Sequence, residues 1–301
     1  MSLLVASLQT AGAGAQDLPA SSGHERDVTI ATDWRGWTKD DCDQVVEIRA
    51  RARNAPTPFV VPVGEELQAR FSFEPAWPYE PVQAVGFQPI LDQRSVVADF
   101  ALYAGGRLIW DWYPGDRAKL ALGSAAGIEM PWGQGVFSLV VHYWNGTGPE
   151  KLDQSGVALC LVREGRLRPS AAGVVSLGAR AEVPARTRDH VASRTCTYQS
   201  DQPVTVISAA PGLHKLGTAA RLSVAKPSGS ALHVIDGPYR FGERETVTLA
   251  RPLRIEKGDR ITSMCVYDNM SARDVPSGWR TSEETCRFTV VYYPKVDFVC
   301  D

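Results

Sequence analysis

The sequence predicts an all-β protein. Short apolar runs recur along the chain, Gly and Pro punctuate them, and almost no segment shows a helical period. Leu67 to Phe73 alternates, with Leu67, Ala69, Phe71 and Phe73 on one face and Gln68, Arg70 and Ser72 on the other. Many short strands of this kind mean a β-sandwich or barrel.

Phe59-Val60-Val61 leads into a break at Pro62-Val63-Gly64. Val96 to Tyr103 is apolar except for Asp99, and Ala104-Gly105-Gly106-Arg107 forms a hairpin turn before Leu108-Ile109-Trp110. Val136 to Tyr143 and Val157 to Val162 are further strands, with a turn at Glu164-Gly165. The second half has strands at Val204–Ser208, Ala220–Val224, Leu232–Ile235, Thr246–Leu249, Ile261–Tyr267 and Phe288–Tyr293. Turns are expected at Asp236-Gly237 and Lys257-Gly258-Asp259. Residues 39–50 fit a helix through Val45, Val46 and Ile48, or equally a strand through Val46, Ile48 and Ala50.

The chain has 301 residues, enough for two domains or one large β domain. Residues 1–27 form a signal-like or disordered segment, with the apolar run Leu3 to Leu8 and the small-x-small signal Ala13-Gly14-Ala15. Residues 28–54 form an N-terminal extension, and its arginines Arg49, Arg51 and Arg53 line one solvated strand face or dock an acidic partner. A polar seam at Val183-Pro184-Ala185-Arg186-Thr187-Arg188 divides the remainder into lobes 55–182 and 183–301.

Lys plus Arg is 32 and Asp plus Glu is 34, so the net charge of −2 leaves no electrostatic footprint for nucleic acid. Hydrophobic residues at 44% exclude global disorder, and no run of 18 apolar residues predicts a membrane span. The six cysteines at 42, 160, 196, 265, 286 and 300 show no CxxC spacing, which argues against a zinc ribbon. They predict a disulfide framework in an extracytoplasmic compartment, the alternative being six buried thiols in a reducing one.

Several segments, in order, carry a resemblance. In the first lobe they are Phe59 to Gly64 with Phe71-Ser72-Phe73, Val96 to Tyr103, Trp112-Tyr113-Pro114-Gly115, Val141-His142-Tyr143-Trp144-Asn145 and Asp153-Gln154-Ser155-Gly156-Val157. In the second they are Gly212 to Gly217, Cys265 to Asn269, Thr281 to Cys286, and Val291-Tyr292-Tyr293-Pro294. Together these resemble the copper type II, ascorbate-dependent monooxygenases, the family of the peptidylglycine α-hydroxylating and dopamine β-monooxygenases. The resemblance covers residues 55–301. It implies two tandem jelly-roll-like β-sandwiches, one copper in each, a solvent gap between the metals, and C–H hydroxylation at the second copper. It also implies three His ligands in the first lobe, and two His and one Met in the second.

Most of those ligands are absent. The tandem His-His position holds Ala98-Asp99, while the third, His142, is kept. In the second lobe Gly212 stands for one His, His214 keeps the other, and Thr285 stands where the Met precedes Cys286. One imidazole per lobe is too few to compete for copper. Because their matched positions share one metal in the family, the resemblance implies that Asp99 and His142 face each other, as a hydrogen-bonded or ionic pair filling the emptied site or, alternatively, as a weak two-ligand metal site. It also implies disulfides Cys196–Cys300 and Cys265–Cys286, leaving Cys42–Cys160 by parity.

His24, His190 and His233 are not placed beside His214. Ser155 with His142 and Asp153 lacks the G-x-S-x-G elbow of a hydrolase. Asn145-Gly146-Thr147 is a glycosylation sequon, and the eight tryptophans are mostly core, with any exposed pair a sugar or peptide platform. The expectation is therefore an exported, non-catalytic relative that uses no metal cofactor and acts as a structural or protein-binding module, with an unidentified protein as partner. The alternatives are a monooxygenase with a rearranged or single copper on His214 or His142, and a glycan- or peptide-binding module using the interlobe cleft.

Overall fold

The computed structural model describes residues 28–31, 33–52, 57–75, 77, 80–116, 119–132, 135–146 and 148–301. The segment expected to be signal-like, with His24, Arg53 and Thr147, lies outside the described residues. Among the described residues there is no helix.

The first lobe holds eight principal strands. They are β1 (Gln44–Arg49), β2 (Glu66–Phe73), β3 (Gln83–Ile90), β4 (Val97–Ala104), β5 (Arg107–Trp112), β6 (Ala126–Glu129), β7 (Phe137–Trp144) and β8 (Gly156–Val162). They form two sheets in the orders β1-β8-β3-β6 and β2-β7-β4-β5, with short strands flanking the first. The second lobe holds eight more. They are β9 (Gly173–Ala179), β10 (Thr187–Thr197), β11 (Val204–Gly212), β12 (Gly217–Ala225), β13 (Ala231–Pro238), β14 (Val247–Ile255), β15 (Arg260–Asn269) and β16 (Cys286–Tyr293). Their sheets run β9-β16-β11-β14 and β10-β15-β12-β13. Adding eight to each strand number of the first lobe reproduces the second. Each lobe is a jelly roll, two four-stranded faces sharing one core.

Period-2 patterning drives these strands. In β15 the buried residues Ile261, Ser263, Cys265, Tyr267 and Asn269 alternate with more exposed ones. β8 is buried on both faces because Trp37, Cys42 and Val45 cover its outer side with Cys160 and Val162. The β4–β5 turn places Gly105 and Gly106 at positive φ, as a two-residue hairpin requires.

Three expectations are corrected. Residues 28–54 are not a separate extension: β1 is the first strand of the first jelly roll, paired along β8. This also resolves the ambiguity at 39–50 in favour of a strand. The lobe boundary lies before β9, not at 183, because β9 pairs with β16 from Gly173 onward. Asp236-Gly237 lies inside edge strand β13 and makes no turn, since Gly237 has no positive φ and pairs with Ala220.

Disulfides staple this framework. Cys42–Cys160 ties the segment before β1 to β8, Cys196–Cys300 ties β10 to the chain end, and Cys265–Cys286 joins the two sheets of the second lobe. The lobes also share a core: Ile207 and Val291 of the second pack with Trp110 and Trp112 in the apolar cluster of the first.

Candidate functional site

The docked faces are the β2-β7-β4-β5 sheet of the first lobe and the β9-β16-β11-β14 sheet of the second. Five of the six positions matched to copper ligands, Ala98, Asp99, His142, Gly212 and His214, lie at this seam.

In the first lobe, His142 on β7 is the cross-strand partner of Asp99 on β4. Its Nδ1 donates to Asp99 Oδ2 at 2.8 Å, and its Nε2 donates to Glu66 Oε1 on β2 at 3.0 Å. The ring is buried, and the edge of Trp279 from the second lobe packs against it at 5.0 Å between centroids. Burial opposes the charged ring. The hydrogen bonds and charges of Asp99 and Glu66 outweigh burial and hold the pKa above the usual imidazole value. Both ring nitrogens of His142 are thus committed to carboxylates, which favours its protonated form. Glu66 also accepts the backbone N–H of Thr281, so the same carboxylate clasps the second lobe. Ala98 and Asp99 line a cavity of only about 10 Å³ with His142, Tyr113, His214 and Thr281. That is room for one water at most.

In the second lobe, His214 follows β11 and is buried. Its Nδ1 donates to the carbonyl of Glu283 at 2.7 Å, and its backbone N–H donates to Glu284 Oε2 at 3.1 Å. Burial lowers its pKa, so the ring is neutral, with Nε2 as its single lone pair. Burial pushes the Glu284 carboxyl up to about 7, although it accepts backbone N–H groups of Leu216 and His214. Gly212, at the end of β11, faces the ring of Tyr113 across the seam. A Cβ there would lie 3.2 Å from Tyr113 Cζ, tighter than ordinary contact. Thr285 precedes β16, and its carbonyl accepts the hydroxyl of Tyr267 at 2.8 Å. It does not line the small cavity.

A second cluster locks the seam, and none of it was foreseen from the sequence. Asp111 on β5 is buried and accepts from Arg244 Nη2 at 3.0 Å, Arg287 Nη2 at 3.2 Å and Thr289 Oγ1 at 2.5 Å. The two guanidiniums sit over Tyr113, at 4.7 Å for Arg244 and 5.2 Å for Arg287, and Arg287 also donates to the Tyr113 hydroxyl. Asp116 accepts from Thr246 Oγ1 at 2.5 Å. Asp111 between Trp110 and Trp112 was the available signal, a charge inside an apolar strand. Glu66 carried none, because its meeting with His142 depends on the register of a third strand.

The remaining candidates separate. Ser155 Oγ donates to Asp153 Oδ1 at 2.6 Å and is buried away from His142, so no triad forms. His233 lies on edge strand β13 beside Asp236, and His190 lies on β10. Arg49 donates to Glu47 and to the Gln154 carbonyl, and Arg51 covers the ring of Phe73. Trp132 and Trp144 are exposed, while Trp37, Trp77, Trp110 and Trp112 are buried.

Two jelly rolls in tandem, docked face to face, define a double β-sandwich scaffold. A family model for the C-terminal domain of the copper type II ascorbate-dependent monooxygenases matches residues 170–300, the whole second lobe. MOXD1 homolog 1 of Drosophila melanogaster is 26% identical over 195 residues, covering 60% of this chain and 26% of that protein. Both matches support the copper type II ascorbate-dependent monooxygenase family, the family model over the second lobe alone. It spans about a quarter of the length of that relative. Among solved structures, the major capsid protein P2 of bacteriophage PM2 is similar at 7% identity and a TM-score of 0.41, over 84% of this chain and 98% of that one. Paenibacillus xanthan lyase is similar at 12% identity and a TM-score of 0.21, over 89% of this chain and 25% of that one.

The family implies copper, and the residues present do not fit it. A copper ligand needs a lone pair, and both His142 nitrogens carry hydrogens held by carboxylates. Asp99 and Glu66 lie on opposite sides of the ring and do not converge. Of the three matched positions in the second lobe, only His214, through Nε2, offers an imidazole lone pair, with Tyr113 against Gly212 and Thr285 lacking a thioether. Among the described residues no group of three or more His, Cys, Asp or Glu side chains is arranged to hold a metal ion.

Proposed function

We propose that this protein is an exported, non-catalytic member of the copper monooxygenase family that serves as a structural or protein-binding module of a larger extracytoplasmic assembly. The observation that carries the reading is the double commitment of His142 to Asp99 and Glu66, at a position where the family keeps a copper ligand. Tyr113 standing against Gly212 supports it from the other side of the seam. The lobes are bonded to each other through Asp111, Arg244, Arg287 and Thr289, where a reaction of the family type needs an open gap. Three disulfides support an oxidising compartment. Among the described residues no helix is long and apolar enough to cross a membrane.

The test is oxygen consumption with ascorbate and added copper, with glycine-extended peptides and phenethylamines as substrates. The reading expects no turnover above free copper. Copper-dependent hydroxylation that is lost in His214→Ala would overturn it in favour of a rearranged copper centre.

A further inference from the structure

At the outer mouth of the seam lies a cavity of about 320 Å³ built from both lobes. It adjoins the small space around His142, and Ala98, Lys215, Phe241 and Thr281 line both. Trp112 and Val96 form its buried wall, and Trp144 and Phe241 stand exposed at its rim, 41% and 37% accessible. Arg94 from the first lobe and Lys215 from the second also line it. Both are exposed, and neither has a carboxylate partner among the described residues. The one acidic side chain lining it, Asp116, is buried and already accepts from Thr246.

We propose that this cavity is the socket for an aromatic side chain of a protein partner whose neighbouring residues are acidic. The proposal rests on the reading of the protein as a binding module and names the partner's chemistry. An apolar pocket of this volume accepts one large side chain, and buried aromatic anchors dominate the energy of protein interfaces. Two unpaired cations on opposite lips favour carboxylates on both sides of that anchor and disfavour basic ones. Both lobes line the socket, so the seam bonds that close the former gap also fix its shape.

The probe is an amidated, fluorescently labelled five-residue peptide with a central tryptophan flanked by two aspartates on each side, followed by anisotropy at low salt. The full chain should bind it saturably, and raised salt should weaken binding. Exchanging the aspartates for lysines, or the tryptophan for alanine, should reduce affinity at least tenfold. The double variant Arg94→Glu/Lys215→Glu, at two exposed positions, should keep the wild-type melting temperature, lose the acidic peptide and gain the lysine peptide. Unchanged affinity in that variant, or equal binding of both peptides by the wild type, would overturn the proposal. Binding of free 3-phenylpropionate as tight as that of the peptide would overturn it in favour of a small-molecule site. A parallel Cu(I) titration separates the two claims. Stoichiometric copper with peptide binding intact defeats only the non-catalytic reading; no copper and no peptide binding defeats only the socket.

Discussion

Replacing Asp111 with Asn tests whether the seam is a structural lock. The carboxylate is buried and is the shared acceptor of two guanidiniums and one hydroxyl. Arg244 is buried with it, and its other nearby carboxylate, Asp116, is 4.0 Å away. Burial alone would raise the Asp111 pKa, but the charges of Arg244 and Arg287 and the Thr289 hydrogen bond hold it below the usual carboxylate range. Asn keeps the shape and one acceptor but removes the charge, leaving two positive groups facing each other at a low-dielectric seam. Breaking a buried pair on one side costs about 3–5 kcal/mol, a large share of the roughly 5–15 kcal/mol that holds a typical domain. Urea unfolding followed by tryptophan fluorescence should show a midpoint lowered by about 1 M or more. It should also show a second transition as the lobes lose their coupling. The double variant Asp111→Leu/Arg244→Met should lose less than Asp111→Asn alone, because it leaves fewer charges unpaired. A loss under about 1 kcal/mol with a single sharp transition would refute the lock.

Three further predictions follow from the same geometry. Gly212→His should not restore a ligand but should destabilise the fold by about 1–3 kcal/mol through overpacking against Tyr113; thermal unfolding checks this, and a neutral variant would contradict it. Stability should fall as pH rises from about 4.5 to about 7, because folding raises the Glu284 pKa to about 7 and the folded state holds that proton more tightly. The difference is about 3 kcal/mol. His142 adds a loss only above the ordinary imidazole pKa, since its folded pKa is raised, whereas neutral His214 acts oppositely and costs stability as pH falls through that value. Glu284→Gln should flatten the slope between pH 5 and 7 in chemical denaturation, and an unchanged slope would contradict the assignment. Cys42→Ser/Cys160→Ser opens a bond across 118 residues and should cost about 4–5 kcal/mol on the loop-entropy estimate, read by chemical denaturation. A cost near zero would mean that β1 is held by the sheet alone.

The alternating strands were legible in the sequence because one face of each meets a core. β7, β8 and β15 fall where apolar runs or alternation place them, and the paired glycines located the β4–β5 hairpin. The lobe boundary was not legible. β9 is a half-buried edge strand that shows only a weak pattern, and the Pro-containing stretch after it looked like a stronger break. β1 escaped for a related reason: both of its faces are covered, so Val45, Val46, Glu47 and Ile48 give no clean period. At the site, Asp99 and His142 were legible through their matched positions. Glu66 was not, because strand register brings it to the second ring nitrogen. The Asp111 cluster forms only when two lobes dock, and Asp111 is separated from its partners by more than 130 residues of chain.

The central claim is that this scaffold has given up copper. Its most direct measurement is a Cu(I) competition titration on the fully oxidised protein, free of thiols, with His142→Ala and His214→Ala alongside. The account predicts no stoichiometric high-affinity Cu(I) in any of the three, and a stability loss in His142→Ala as Asp99 and Glu66 lose their shared cation. One tightly bound copper per chain in the wild type, lost in either variant, would contradict it.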